Sequence, residues 1–319
     1  MESAELETAI AGTSGVLFAA LFAYVLVEAL LLHFWRHRFR AREMRMVLLS
    51  LLTTGGVAAT LTRVIGLIGI AEFAGLGARL APFEFGLSFG AWIHAWIVYE
   101  FWYWVMHWSG HKVRLVWCTH SAHHAPGAIN MAVGTNHHVL ESLLVFPFFF
   151  GFMTALCGVH PILAVGFNVI DGLWGSFLHI SDEVVPNGRY GFLEKFMQTP
   201  SFHRVHHGKN ARYLDRNYNS VTLLWDWVFG TLEPLRDDES AVYGITRECD
   251  TGSFFDVHFR EFVLLWRDVR DADGWGDRLR YLVKPPGWSP DGSTRTAAQQ
   301  KIDAGLDERR GLPGLLGAI

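Results

Sequence analysis

Charge is scarce in this sequence. It has 27 Lys and Arg and 31 Asp and Glu among 319 residues, or 18 %, where a soluble domain spends about a quarter of its residues on charge. Cysteine is scarcer still. Cys118, Cys157 and Cys249 show no C-x2-C spacing, which excludes a disulfide framework and a thiolate metal site. No H-E-x2-H occurs, so zinc-peptidase chemistry has no support. No G-x-G-x-x-G fingerprint for a dinucleotide occurs either. No basic stretch is interleaved with aromatics, as nucleic-acid binding requires, and the net charge of -4 points the same way. Apart from one duplicated H-x2-H-H there is no internal repeat.

What is abundant is apolar. Half the residues are hydrophobic and 14 % are aromatic. They come in blocks: 9–32, with Glu28 as its only charge, then roughly 46–70, 85–106, 140–159 and 161–180. Each reaches the ~20 residues a bilayer-spanning helix needs. The expected fold is therefore all-α, an integral membrane bundle of four or five spanning helices. The Gly and Pro of 66–90 (Gly66, Gly69, Gly75, Gly77, Pro82) allow a re-entrant piece there. The first block lacks a basic n-region and a small-residue cleavage site, so it reads as a retained span. Glu2, Glu5 and Glu7 precede it, and Arg36, Arg38, Arg40, Arg42 and Arg45 follow. The positive-inside bias puts the 36–45 loop in the cytoplasm, against anionic headgroups. After residue 180 the chain turns polar. The segment 191–207 reads as one helix stopped by Gly208, 254–269 as a short helix, and the tail after Gly287 as loosely ordered. Three regions are expected: an N-terminal membrane region 1–84, a catalytic region 85–235 and a cytoplasmic extension 236–319.

Sixteen His stand in the chain, and eight of them fall into three clusters: His107-x3-His111, His120-x2-His123-His124 and His203-x2-His206-His207. Spacings of three and four put each cluster on one side of a helical turn. Random placement would give this set in well under roughly one such chain in a thousand. Counting span parity from the basic loop, all three clusters land on the cytoplasmic side. Eight imidazoles exceed what one metal needs, and a structural zinc site closes at four. The spacing therefore predicts a dinuclear centre; imidazole alone does not choose among Fe, Zn, Cu and Ni. A site built only of imidazole keeps a high positive charge, suits dioxygen and its reduced forms, and fails when its ligands protonate. Set against apolar spans, it points to oxygen chemistry on a lipid.

Other residues sort by position. His179 closes the last span on the metal side and is expected as a ligand. One of His137 and His138, with His138 preferred, is expected as a ligand or a partner of one. Glu100, seven residues before His107, shares its helix face and could orient a ligand imidazole by accepting its second N–H. Asp171 is an acid inside a span, and such acids are functional candidates. His94, about 20 Å from His107 along a helix, is assigned a structural or pathway role. His33, His37, His160 and His258 read as bland, and the Trp and Tyr near span ends (Trp102, Tyr103, Trp104, Trp108) as interfacial belting.

These boxes resemble a known family. In order and separation they are similar to those of the fatty acid hydroxylase and sterol desaturase superfamily of membrane di-iron enzymes, over residues 85–290. The stretch Thr199–Thr231 is similar to the alkylglycerol monooxygenase-like branch, with His207-Gly208-Lys209-Asn210, then Asp215-Arg216-Asn217-Tyr218, then Trp225-Asp226 running to Phe229-Gly230-Thr231. His179 in FLHISDEV and the later Lys284–Trp288 match as well. The sequence departs at Trp108 and Lys112, where the family has Arg and an acid, and at Glu100, where it has Asp. His138 and Glu141 match the sterol desaturase branch instead. The resemblance implies a cytoplasmic helical cap holding two iron ions, with zinc as a substitute on isolation, and O2-dependent hydroxylation or desaturation of a membrane lipid. It also implies Asp215 as a supporting acid. No cytochrome b5-type H-P-G-G is fused, so the resemblance implies a separate electron-transfer protein or a pterin. It favours a bacterial inner membrane. A membrane metal- or lipid-binding protein without catalysis is the alternative of another class.

Overall fold

The computed structural model describes residues 16, 19–20, 22–36, 41–65 and 70–306. The first span, the basic loop and the tail thus fall partly outside the described residues. Among the described residues there is no strand, and backbone pairing is limited to two isolated bridges, Met197 with Thr222 and Gly208 with Tyr243. Helix α1 (22–31) runs into a π-helical turn, Leu32–Arg36. It is followed by α2 (Ala41–Ile65), α3 (Ile70–Leu80), α4 (Phe89–Lys112) and α5 (Arg114–His124). Then come α6 (Glu141–Leu156), largely π-helical, and α7 (Pro161–Leu178). The cap is made of shorter pieces: α8 (Pro200–His206), α9 (Leu224–Phe229), α10 (Phe254–His258), α11 (Arg260–Asp271), α12 (Trp275–Val283) and α13 (Ala297–Asp303).

Four or five spans were expected. Among the described residues only Pro161–Leu178 is both long and apolar enough to cross a bilayer; Phe22–Phe34, Met44–Thr53 and Glu141–Leu156 are shorter apolar helices. The reason lies at the helix ends. α4 has 24 residues, but its last turns carry His107, His111 and Lys112. α2 has 25, but it opens on Arg42, Glu43 and Arg45 and contains Arg63. α3 has 11 residues, about 16 Å of helix, and does not reach across. These helices still expose large apolar side chains, among them Leu26, Leu30, Leu52, Leu80, Phe89, Trp92, Ile93 and Phe148, and exposed apolar surface on this scale marks a lipid or protein contact.

Packing ties the apolar helices to the cap. α3 crosses α6 at Gly77 and Gly151, where a Cβ would collide with the carbonyls of Phe152 and Ile70; small residues permit such close crossings. A core of Ala95, Tyr99, Met106, Phe150, Leu163 and Phe167 joins α4, α6 and α7. A second core joins Val25 of α1 and Met44, Met46 and Val47 of α2 to Ala122, Ala125 and Val257. The N-terminal helices are thus packed onto the box-bearing α5. Arg42 pairs with Asp250 at 2.9 Å, which puts the start of α2 beside the cap.

The polar half differs from expectation in two places. The segment 191–207 is not one helix: a 3₁₀ turn Gly191–Lys195 is followed by extended residues that bridge to Thr222, and α8 starts only at Pro200. Proline suits a first helical turn better than any later one. Residues 288–306 are ordered, with a reciprocal capping box between Thr296 and Gln299 opening α13.

Candidate metal centre

Nine imidazoles converge in two groups. His107, His111, His120, His124 and His206 form one; His123, His179, His203 and His207 form the other. Within each, one ring nitrogen per residue lies within 4.8 Å of all the rest, and every residue is buried. The helices explain the grouping. α4 delivers His107 and His111 from its last turns. Val113 breaks the helix, and α5 folds back so that His120 meets Gly110, where a Cβ would sit 3.1 Å from its ring. On α5, His120 and His124 share one face while His123 points to the other group. On α8 the same division separates His206 from His203 and His207. His179 arrives from the C-cap of α7.

The contacts fit a metal. In the five-His group, His124 Nε2 is 3.2 Å from His111 Nε2, 3.2 Å from His120 Nε2 and 3.1 Å from His206 Nε2. In the four-His group, His179 Nε2 is 3.2 Å from that of His123, 3.0 Å from His207 and 2.9 Å from His203. Two metal–nitrogen bonds of about 2.1 Å at right angles place their donors about 3.0 Å apart. Several outer nitrogens face obligate acceptors: His107 Nδ1 bonds the Tyr218 carbonyl at 2.8 Å, His206 Nδ1 that of Arg216 at 2.9 Å, and His179 Nδ1 that of Gly175 at 2.6 Å. A carbonyl only accepts, so these Nδ1 atoms carry the proton and the Nε2 lone pairs point inward at one another. Converging lone pairs without a proton between them call for a cation, and an outward N–H bonded to an oxygen is the arrangement of a ligating histidine.

Electrostatics agree. Burial, with mutual repulsion among the imidazoles, pushes His123, His124, His203, His206 and His207 well below the ordinary histidine range. Burial also lowers His111, to about 4, against the pull of Asp215. The site therefore offers neutral, ligating imidazoles at neutral pH. Asp215 stays ionised: burial alone would raise it, but His111 Nδ1 at 3.5 Å and Lys112 Nζ at 2.6 Å hold it well below the usual carboxylate range. Lys112 thus stands opposite Asp215 as its partner.

The supporting acids are distributed differently from expectation. Glu100 accepts nothing from an imidazole. Two turns from His107, about 10 Å along the helix, it clamps the 219–222 loop through Asn219 Nδ2, the Val221 and Thr222 amides and Thr222 Oγ1. The role expected of it falls to Glu141. Glu141 is fully buried, with Oε1 2.7 Å from His120 Nδ1 and Oε2 3.0 Å from His137 Nδ1. His138 joins neither group. Adjacent residues at a helix start cannot both face one site, and it is His137 that stacks on His123, with centroids 4.7 Å apart. His138 turns to His258, Phe259 and Phe262, and its Nδ1 accepts from Leu140 N. Asp171 binds the Tyr99 hydroxyl at 3.2 Å and that of Ser220. His94 bonds the Cys157 carbonyl, and His160 caps α7.

Sequence reasoning passed over the backbone carbonyls at 216 and 218. Their signal is in the Asp215-Arg216-Asn217-Tyr218 run. Asp215 and Asn217 have φ of 55° and 57°, a left-handed conformation that Asp and Asn tolerate better than other side-chain-bearing residues. The two reversals turn the Arg216 carbonyl onto His206 and the Tyr218 carbonyl, just after them, onto His107. Asn217 locks the loop through the Phe202 and Glu233 carbonyls and the Glu233 amide. Asp226, wholly buried, gathers the Tyr218 and Asn219 amides, Trp104 Nε1, Gln198 Nε2 and Thr231 Oγ1. Trp104 is therefore a structural donor, not an interfacial belt residue. The buried Tyr218 hydroxyl has no partner among the described residues, beside the rings of His111 and His107.

A cavity of about 260 Å³ opens on His111, His124, His206 and His207. Its far wall comes from the C-terminal extension: Ile245, Arg247, Glu261, Pro285, Arg295 and Gln300.

Residues 92–231 match the family model for fatty acid hydroxylase. The chain is 30 % identical over 211 residues to the alkylglycerol monooxygenase of Homo sapiens, covering 66 % of this chain and 45 % of that protein. It is 31 % identical over 205 residues to that of Xenopus tropicalis, covering 64 % and 43 %. Against the ornithine lipid hydroxylase OlsE of Rhizobium tropici the identity is 26 % over 160 residues, covering 49 % and 46 %. The chain spans less than half the length of these relatives. No solved structure matches it.

Proposed function

We propose, from the premise that residues 92–231 belong to the fatty acid hydroxylase superfamily, that this chain is an O2-dependent di-iron lipid hydroxylase. The observation that carries the reading is the convergence of nine Nε2-bearing imidazoles into two groups, placed where α4 and α7 leave the apolar bundle. His107, His111, His120, His124 and His206 would hold one metal; His123, His179, His203 and His207 would hold the other. A pair of iron ions there would supply activation of O2 and attack on an unactivated C–H bond, which no side chain of this protein can perform.

The chain's own groups do the rest. The Tyr218 and Arg216 carbonyls, Glu141 and Asp215 fix imidazole orientation and protonation. Burial keeps the ligands neutral and water away. Asp215 and Lys112 balance each other's charge beside His111. The Tyr218 hydroxyl is placed to donate a hydrogen bond into the site. The cavity has a mixed lining, and Arg247, Glu261, Arg295 and Gln300 on its far wall offer the charged and hydrogen-bonding groups that would suit a reductant such as a pterin or the carrier of an electron-transfer protein. The lipid would approach from the apolar helices. The positive-inside bias of residues 36–45 assigns that segment, and with it the cap that Arg42 contacts, to the cytoplasmic face of a membrane, in a bacterial inner membrane.

Untargeted lipid mass spectrometry under 18O2 tests this, comparing cells that express the wild type with cells that express His206→Ala. One lipid class should gain a labelled oxygen only with the wild type. Loss of two hydrogens without label would make the enzyme a desaturase. No lipid change, with folded and iron-loaded protein, would sink the catalytic reading in favour of a metal- or lipid-binding role.

A further inference from the structure

One carboxylate from outside the matched segment reaches into the histidine module. Glu28 on α1 is 2 % exposed, and its two oxygens accept from backbone amides far apart in the sequence: Ser181 N at 2.6 Å and Met131 N at 2.5 Å. Both amides lie in segments that follow or pack against His179 of the four-His group. Ser181 lies two residues after His179. The Met131 loop abuts His179 at Gly134, where an added Cβ would stand 3.1 Å from His179 Nδ1. Asn136, in the same loop, donates to the Ala122 carbonyl beside His123. From the opposite side Arg204, between His203 and His206, donates to the Ile180 and Val185 carbonyls. The turn after His179 is thus held through its N–H by an acid and through its carbonyls by a base. The five-His group takes its support elsewhere, from the Tyr218 and Arg216 carbonyls, Glu141 and Asp215.

We propose that Glu28 is a positioning residue for the four-histidine group alone, so that this half of the metal centre is completed only when α1 is docked. A charge in an otherwise uncharged helix is expensive to keep among apolar neighbours, and without it the buried Ser181 amide and the part-buried Met131 amide would lose their partner. The inference rests on the reading that both groups hold metal.

Metal-free full-length protein in detergent micelles is titrated with Co2+, followed by its visible d–d bands and by metal content after gel filtration. Wild type should take up two equivalents. Glu28→Gln keeps the shape but turns an NH2 toward one of the two amides. It should retain one equivalent at wild-type affinity and bind the second about 10- to 100-fold more weakly, the range for loss of a ligand's outer partner. In a His203→Ala background, where the four-His group is already incomplete, Glu28→Gln should change nothing further. Glu28→Ala should behave like Gln or worse, and if it fails to fold the Gln variant decides. Two equivalents at wild-type affinity in Glu28→Gln, or equal weakening of both, would overturn the inference while leaving the dinuclear reading intact. A wild type that takes up fewer than two equivalents would overturn both.

Discussion

At the scale of single residues, the centre is governed by which imidazole nitrogen bears the proton. For His107, His120, His179 and His206 an outward acceptor settles this, and three of those four acceptors are carbonyls, which no sequence pattern of side chains displays. Glu100 and Glu141 make the point. Both are acids near a box, and the heptad spacing of Glu100 is the more suggestive, yet distance along α4 denies it an imidazole while the fold brings Glu141 onto His120. Glu141→Ala should weaken metal binding in the five-His group by about 10- to 100-fold, read by metal titration. The lowered histidines also set a pH dependence. A histidine that titrates below its unfolded value near 6.5 is protonated first in the unfolded chain, so protons favour unfolding as pH falls. For His111, which titrates at about 4, stability is intact above pH 6.5 and is lost between 6.5 and 4; His124, His203, His206 and His207 act in the same direction. Thermal melts of the metal-free protein should therefore show Tm dropping steeply below pH 6.5. A flat profile from 7.5 to 5 would contradict the buried, neutral state of these rings.

At the scale of elements, two devices shape the site: a close helix crossing and a doubly reversed loop. Gly151→Ala would drive a methyl into the Ile70 carbonyl on α3. It should destabilise the protein by about 1–3 kcal/mol, seen as a lower midpoint in detergent melts with metal binding otherwise retained. Asn217→Ala removes three buried hydrogen bonds and puts alanine in a left-handed conformation, a loss of roughly 2–4 kcal/mol. Because that loop presents the carbonyls of 216 and 218, the five-His group should lose affinity with it; normal uptake by a folded Asn217→Ala protein would separate the loop from the metal. The histidine boxes themselves were legible as helix faces because their spacing is local. The break of 191–207 into a turn, a bridge and α8 was not, since it is decided by pairing with Thr222, a residue distant in sequence.

At the scale of the whole molecule, apolar helices and polar cap form one unit, with α1 and α2 packed on α5. Exposed apolar side chains on α1, α2, α4 and α6 should keep the protein in the membrane fraction through an alkaline carbonate wash and release it only in detergent. Release by carbonate would contradict spanning helices. Stripping metal should lower Tm by several degrees, because binding energy counted only in the folded state is stability; restoring Fe2+ should recover it.

The sequence alone determined the helical class, the apolar blocks and the three histidine clusters, because each depends on spacings within a few residues. It put each cluster on one side of a turn, whereas the fold splits the second and third clusters between two groups. His179 was also legible, from its place at the end of the last apolar block. Only the tertiary structure decided how nine rings divide five and four, that His137 and not His138 faces them, and that Glu28, Glu141 and two carbonyls support them. Those assignments join residues tens to more than a hundred positions apart. They are set by helix crossings, by left-handed turns and by the pairing of buried carboxylates and amides, conditions that exist only once the chain has packed.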